Sequence, residues 1–383
     1  MYKGLARGLG GRTLPCVHLR RTAFVARLCV AWLCVTLLVS GCSAAPEPQP
    51  SPLGPSPSTA LTPSPTPTQP PEITLAFGGD VHFTERTLRL LSSPATAFGP
   101  VSSIFQAADL SMVNLESAVT TRGTPEPKTY HFRAPATAFD AVKAAGLDLV
   151  SLANNHTLDY GQVGFSDTLA AASAAGVPIV GAGPNAVAAY MPWLTTVKGI
   201  RIAFLGFSQI GELSSTWVAT DTRPGIALAY TQQQIDRAAA SVRAATSIAD
   251  VVVVFMHWGQ ERNSCPIASQ RTAAQAFANA GASMVIGTHA HTMQGDGWLG
   301  RTYVAYGLSN FVWYINSDND TGVIRVTLSG STVVKTEFLP AYIDRTAGQP
   351  IPSTGAEAAR IAARHAALRG CTGLADAPSP PTP

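Results

Sequence analysis

Val251-Val252-Val253-Val254-Phe255-Met256-His257-Trp258-Gly259 decides the fold. A strand with one wet face alternates apolar and polar residues, whereas an unbroken β-branched run is buried on both faces, inside a layered α/β structure. The run closes on His257, a side chain that can move a proton or ligate a metal. Similar apolar runs lie at 73–77, 110–115, 147–152, 178–180, 200–207, 284–286 and 303–306. Ala-rich helical stretches at 136–145, 165–175, 232–245 and 269–280 separate several of them, so strand and helix alternate, as in an α/β fold. A hairpin is expected around Ser329-Gly330. The chain is expected to form one domain over 72–345, an extension over 346–376 carrying a helix at 355–368, and a disordered Pro-rich tail at 377–383.

Four other segments end an apolar run on ligand-type residues: Gly79-Asp80-Val81-His82, Asn114-Leu115-Glu116, Asn154-Asn155-His156 and Thr288-His289-Ala290-His291. Ligands in open α/β sheets gather beyond the carboxyl ends of strands, where all of these fall. Asp80 and His82 are two apart, as are His289 and His291, a spacing that turns both side chains to one side of an extended segment. Each pair can feed one metal centre or divide between two. Carboxylates with imidazoles suit zinc, manganese or iron, and the lack of a Cys ligand argues against a closed structural zinc site. The candidate ligands are Asp80, His82, Glu116, Asn155, His156, His257, His289 and His291. They outnumber what one tetrahedral ion takes, so two divalent transition metals are expected, with His156, Asp80 and His257 as the candidate catalytic residues.

Taken in order, Gly79-Asp80, Asn114-Leu115-Glu116, Ala153-Asn154-Asn155-His156 with Asp159 and Gly161, His257-Trp258-Gly259, Gly287-Thr288-His289-Ala290-His291 and Tyr306-Gly307-Leu308-Ser309-Asn310-Phe311 carry a family likeness. They resemble the CapA/PgsA poly-γ-glutamate capsule biosynthesis family, a branch of the calcineurin-like metallophosphoesterase superfamily, over most of 73–314. The resemblance implies a four-layer α/β/β/α sandwich with a dinuclear site at strand ends. It matches Asp80 and His82 to the superfamily's Asp-x-His, Asn155 and His156 to its Asn-His pair, His257 to its lone histidine, and His289 and His291 to its final His-x-His. Glu116 stands where the superfamily usually has a bridging Asp, a departure that weighs against ordinary phosphatase activity more than against metal binding. Lys128, Tyr130 and Arg133 resemble a family segment and are candidates to hold an anionic substrate, with a solvated loop carrying one packed aromatic as the alternative. Asn310 lines the site or makes a turn. Asp159 is expected to orient His156, as ligating histidines require. The implied function is metal-assisted hydrolysis or transfer on poly-γ-glutamate or a similar anionic envelope polymer, alongside membrane ligase or export components. The alternatives are a general dinuclear phosphoesterase and a non-enzymatic export or assembly factor.

The ends of the chain address location. Residues 1–41 contain Lys3, Arg7, Arg12, Arg20, Arg21 and Arg27, no acidic residue, and an apolar stretch at 28–39 too short to span a bilayer, the pattern of an export signal. Val39-Ser40-Gly41-Cys42 resembles the bacterial lipobox, which implies diacylation of Cys42 and an extracytoplasmic, membrane-anchored protein. An ordinary cleaved signal or an uncleaved anchor is the alternative. The Pro/Ser/Thr-rich segment 42–71 buries no core and reads as a disordered tether. Since those six basic residues exceed the whole chain's net charge of +3, the remainder carries −3, and no basic patch for nucleic acid is left. Cys265 and Cys371 are left in an oxidising compartment, where spacing alone does not say whether they pair.

Overall fold

The computed structural model describes residues 70–380, which belong to a compact unit spanning Thr66–Pro383. The export signal, Cys42 and nearly all of the 42–71 tether lie outside the described residues. Two sheets form the centre. The first runs, edge to edge, Pro350–Pro352, Thr332–Ile343, Asp320–Ser329, Glu72–Val81, Leu110–Leu115, Leu149–Ser151 and Ile179–Val180, with Asn310–Val312 paired onto the end of Glu72–Val81. The second runs Met293–Leu299, Thr302–Leu308, Met284–Thr288, Val251–His257, Ile200–Ser208 and Trp193–Val197. The central strands of each are parallel: Glu72–Val81 with Leu110–Leu115 and Leu149–Ser151, and Ile200–Ser208 with Val251–His257, Met284–Thr288 and Thr302–Leu308.

Side-chain alternation shows why the fold has four layers. In Val251–His257 the odd residues Val251, Val253 and Phe255 pack between the sheets with Ile73, Leu75 and Phe77. The even residues Val252, Val254 and Met256 pack on the other face with helices Gln232–Ala245 and Ala268–Asn279. Across the sandwich, Ala76 and Val113 join the helices Thr137–Ala144 and Gly161–Ala175. The layers are therefore helix, sheet, sheet, helix, the expected α/β/β/α sandwich. Burying each Val, Phe or Met of the central strand contributes about 1.5–3 kcal/mol, which is why both faces must be apolar.

The segment beyond 345 is built onto this body. Pro350–Pro352 pairs antiparallel with Thr332–Ile343 at the sheet edge, the position where prolines cost no ladder bond. Helix Gly355–Leu368 packs against Thr332–Ile343 of the first sheet and Met293–Leu299 of the second. Cys371 is disulfide-bonded to Cys265, 106 residues away in sequence. In the tail, the Ser379 N–H donates to the Gly300 carbonyl at 2.8 Å.

Candidate metal centre

The centre begins with a break in strand regularity. Phe77 faces the second sheet, and strict alternation would turn residue 80 towards the helices. Phe77 pairs with Met112 but Asp80 with Asn114, three residues against two, so Gly78-Gly79 forms a bulge. That bulge returns Val81 to the helix-side core and turns Asp80 to the inter-sheet side. Glycine is obligatory at position 79, because a Cβ there would stand 2.0 Å from the Ser309 carbonyl oxygen. In the second sheet, unbroken alternation carries His257 to the same inter-sheet end. His289 and His291 leave Met284–Thr288 at φ of 88° and 52°, and Ser309 sits nearby at 67°. Such backbone costs about 1–3 kcal/mol per residue and is kept only where surroundings enforce it.

Among the described residues, two groups offer ligand atoms that all lie within 4.8 Å of one another: Glu116, His257 and His289, and Asp80, Glu116 and His291. Glu116 is common to both. Its two carboxylate oxygens are buried without a hydrogen-bond partner, with His257 Nε2 3.3 Å from Oε1 and His156 Nε2 3.9 Å from it. Asp80 Oδ1 accepts from Asn114 Nδ2 at 2.8 Å, and its Oδ2 accepts from the His289 backbone N–H at 2.9 Å. His257 Nε2 lies 2.8 Å from Asn155 Oδ1 and 3.0 Å from His289 Nδ1.

Burial opposes charge on each of these groups, and neighbours decide the outcome. Burial drives His257 down, but the Glu116 and Asp80 carboxylates push it up to about 9. Burial raises Asp80 too, yet its bonds to His257 and Asn114 hold it below the usual carboxylate range. Glu116 is raised, by burial first and then by the Asp80 charge. His82, His156 and His289 fall well below the ordinary imidazole value, by burial and then by neighbouring cations. A buried carboxylate with two orphaned oxygens beside the His156 and His289 rings, both held neutral, and a His257 that is raised only by the carboxylates a cation would take over, is a donor set for a cation, and the cluster can hold a metal ion.

The family of bacterial capsule synthesis proteins, PGA_cap, matches residues 74–314, which include every residue of both groups. The chain belongs to the PGA_cap family. It is 27% identical over 292 residues to the capsule biosynthesis protein CapA of Bacillus anthracis, covering 74% of this chain and 70% of that one. It is 30% identical over 261 residues to the PGA biosynthesis protein CapA of Bacillus subtilis strain 168, covering 66% and 67%. A solved phosphatase structure from Mycoplasma pneumoniae aligns with 73% of this chain and 96% of that one, at 13% identity and a TM-score of 0.46.

In this PGA_cap chain the other expected site residues do not all fall in one place. Asn155 and His156 adjoin the two groups, and His156 Nδ1 lies 2.6 Å from Asp159 Oδ2. Asn310 Oδ1 lies 2.9 Å from His291 Nδ1 and so orients that ring. His82 is outside both groups: its ring stacks on Phe132 at 4.2 Å and meets Trp313 edge-on at 4.4 Å, with both nitrogens buried and unpartnered. The 128–133 segment does not act as a unit. The Lys128 side chain is only 2% exposed, 3.0 Å from Asp159 Oδ1 and 3.1 Å from Glu212 Oε2, and it also donates to the Asn155 carbonyl. Its ammonium thus props the Asn155-His156 loop from behind. Arg133 lies over the Tyr160 ring at 3.3 Å, while Tyr130 is exposed.

Several working residues were not singled out from the sequence. Asn114 connects Asp80, His257 Nδ1 at 3.1 Å and, through its own Oδ1, the Asn154 amide at 3.0 Å. Thr288 Oγ1 lies 3.1 Å from His257 Nδ1. Phe132 is stacked between His82 and His156, with its centroid 3.9 Å from the latter. The available signal for Asn114 and Thr288 was their place inside the motifs. Phe132 lay inside the 128–133 segment, where the alternative reading had one packed aromatic.

Proposed function

We propose that this chain is an extracytoplasmic protein, anchored through a lipid on Cys42, that holds two divalent transition ions, of manganese, iron or zinc, and acts on poly-γ-glutamate or a similar anionic envelope polymer by hydrolysis or transfer. One observation carries the reading: two ligand groups share Glu116, whose oxygens have no other partner. One ion would be held by Glu116, His257 and His289 and the other by Asp80, Glu116 and His291, with Asn155 and His156 close enough to complete the set. When bound, such ions polarise the scissile carbonyl or phosphoryl group and acidify water.

The chain's own residues supply the remainder. Asn114 and the His289 N–H fix both oxygens of Asp80. Asp159 holds His156 Nδ1, which orients the ring and would leave the Nε2 lone pair, 3.9 Å from Glu116 Oε1, free to ligate. His291 is the most exposed of these residues, at 16% of its side chain, ahead of Asn155, His156 and His289, so the polymer would reach the centre from the His291 side while Asp80 and Glu116 stay buried beneath.

Metal analysis of the purified protein, paired with hydrolysis assays on poly-γ-glutamate, a phosphodiester and a phosphomonoester, tests this. Roughly two equivalents of metal are expected, with turnover of the polymer that His156→Ala abolishes. Metal-free wild type sinks the reading, and turnover of the phosphoesters alone replaces it with a general phosphoesterase. Cys42→Ser should release the protein from the membrane; if it stays bound, the anchor is elsewhere.

A further inference from the structure

A cleft of about 320 Å³ opens beside the centre, lined by Arg262, Ser264, His291, Thr292, Ser317, Asp318 and Arg364. Its charges are not equivalent. Arg364 bonds Asp318 through both terminal nitrogens and reaches Asp320 at 2.6 Å, so its charge is answered within the wall. Thr292 Oγ1 donates to Asp318 Oδ2 at 2.6 Å and uses up that carboxylate further. Arg262 is exposed, and among the described residues its guanidinium has no ion pair. The cleft therefore offers one uncommitted cation, with hydroxyls of Ser264 and Ser317 beside it.

Arg262 is also held in register with the centre. Its backbone takes a φ of 61°, unusual for a side-chain-bearing residue, and its N–H donates to the carbonyl of Ala290 at 2.7 Å. Ala290 is the residue between His289 and His291. The buried Gln294 amide donates to the Asn263 carbonyl at 2.7 Å and takes a bond from Gln270, which fixes the same loop from inside. Cys265, three residues on, is bonded to Cys371. Three restraints on so short a loop give its arginine a fixed address beside His291.

Resting on the function proposed above, we infer that this cleft is a carboxylate subsite, in which Arg262 binds a free carboxylate of the polymer next to the unit whose bond lies at the metal centre. A planar guanidinium matches a carboxylate through two parallel N–H bonds. A cation in the same cleft as His291 favours a polymer with a carboxylate on every residue over a neutral peptide. Ser317, Asp318 and Arg364 lie beyond residue 314, where the match to the family model ends.

The test is calorimetric binding of a γ-linked glutamate pentamer, its neutral α-carboxamide counterpart and a glycerol-phosphate oligomer to the metal-loaded full chain, for wild type, Arg262→Gln and Arg262→Lys. Arg262 is exposed, so both variants should fold and keep their metal. Wild type should prefer the glutamate pentamer to its carboxamide, and Arg262→Gln should weaken pentamer binding roughly tenfold or more, the loss of one charge-assisted pair, with partial recovery in Arg262→Lys. Equal pentamer affinity in wild type and Arg262→Gln overturns the subsite and leaves the proposed function standing. Wild type that binds no pentamer overturns both, and preference for the glycerol-phosphate oligomer overturns the carboxylate assignment.

Discussion

The two sheets bring different chemistry to the same place. The first delivers oxygen, in Asp80, Glu116 and Asn155, and holds it with a buried polar network of Asn114, Asn154, Asp159 and Lys128. The second delivers nitrogen, in His257 at the end of a regular strand and in His289 and His291 on backbone at positive φ. Each ligand group draws on both sheets, so neither sheet has a site alone. On the function proposed above, metal affinity would measure how the sheets are packed, and a bound ion would staple them, adding stability by mass action.

The largest way to break that arrangement is at the shared oxygen. Glu116→Gln should drop bound metal from about two equivalents to below one and abolish turnover, since both groups lose a charged ligand. Asn310→Ala, which frees only the far side of His291, should weaken metal binding by about 10–100-fold and spare the other group. Metal content and chelator-dependent melting distinguish the two, and equal metal loss in both variants would contradict a bridging Glu116. Next in size is the prop under the oxygen side. Lys128→Met leaves Asp159 buried without its cation and should cost about 3–5 kcal/mol in urea unfolding. A loss under about 1 kcal/mol, the range of exposed pairs, would mean that Lys128 is not buried in solution. Cys371→Ser acts on the nitrogen side through the loop at 259–267. Opening a link between residues 106 apart should cost about 2–4 kcal/mol and weaken pentamer binding while metal content holds. Loss of metal instead would tie the disulfide to the centre itself.

How much of this was legible depended on range along the chain. The unbroken 251–256 run predicted a strand buried on both faces, and the odd and even residues divide between two cores as that requires. Strand-end ligands were legible because each motif is local. What could not be read depends on pairing between distant segments. The Gly78-Gly79 bulge exists only relative to Leu110–Leu115, and without it Asp80 faces the wrong way. Lys128 read as an anion-binding candidate or a solvated cation, because nothing in 128–133 announces Asp159 and Glu212 on either side of it. His82 carries a ligand motif, yet Phe132 and Trp313, 50 and 231 positions away, enclose its ring. The Cys265–Cys371 pairing was likewise undecidable without geometry.

The smallest predicted effect sharpens the contrast from the far side of the molecule. Helix Gly355–Leu368 also joins the two sheets, but without a metal: His365 stacks on Phe338 of the first sheet at 4.0 Å, while Arg369, just past the helix, bonds Asp296 of the second at 3.0 Å. Burial lowers the His365 pKa, with Asp296 opposing and Arg369 assisting. A histidine with a depressed folded pKa is protonated first in the unfolded chain, at about 6.5, so its contribution is whole above that pH and declines as pH falls below it. His365→Phe keeps an aromatic ring on Phe338 and removes the proton site. Measured on the metal-loaded protein, the drop in melting temperature from pH 7.5 to pH 5.5 should be smaller in the variant than in wild type. An identical drop in both would assign the acid sensitivity to the metal-side histidines alone, and would leave this second clasp insensitive to pH.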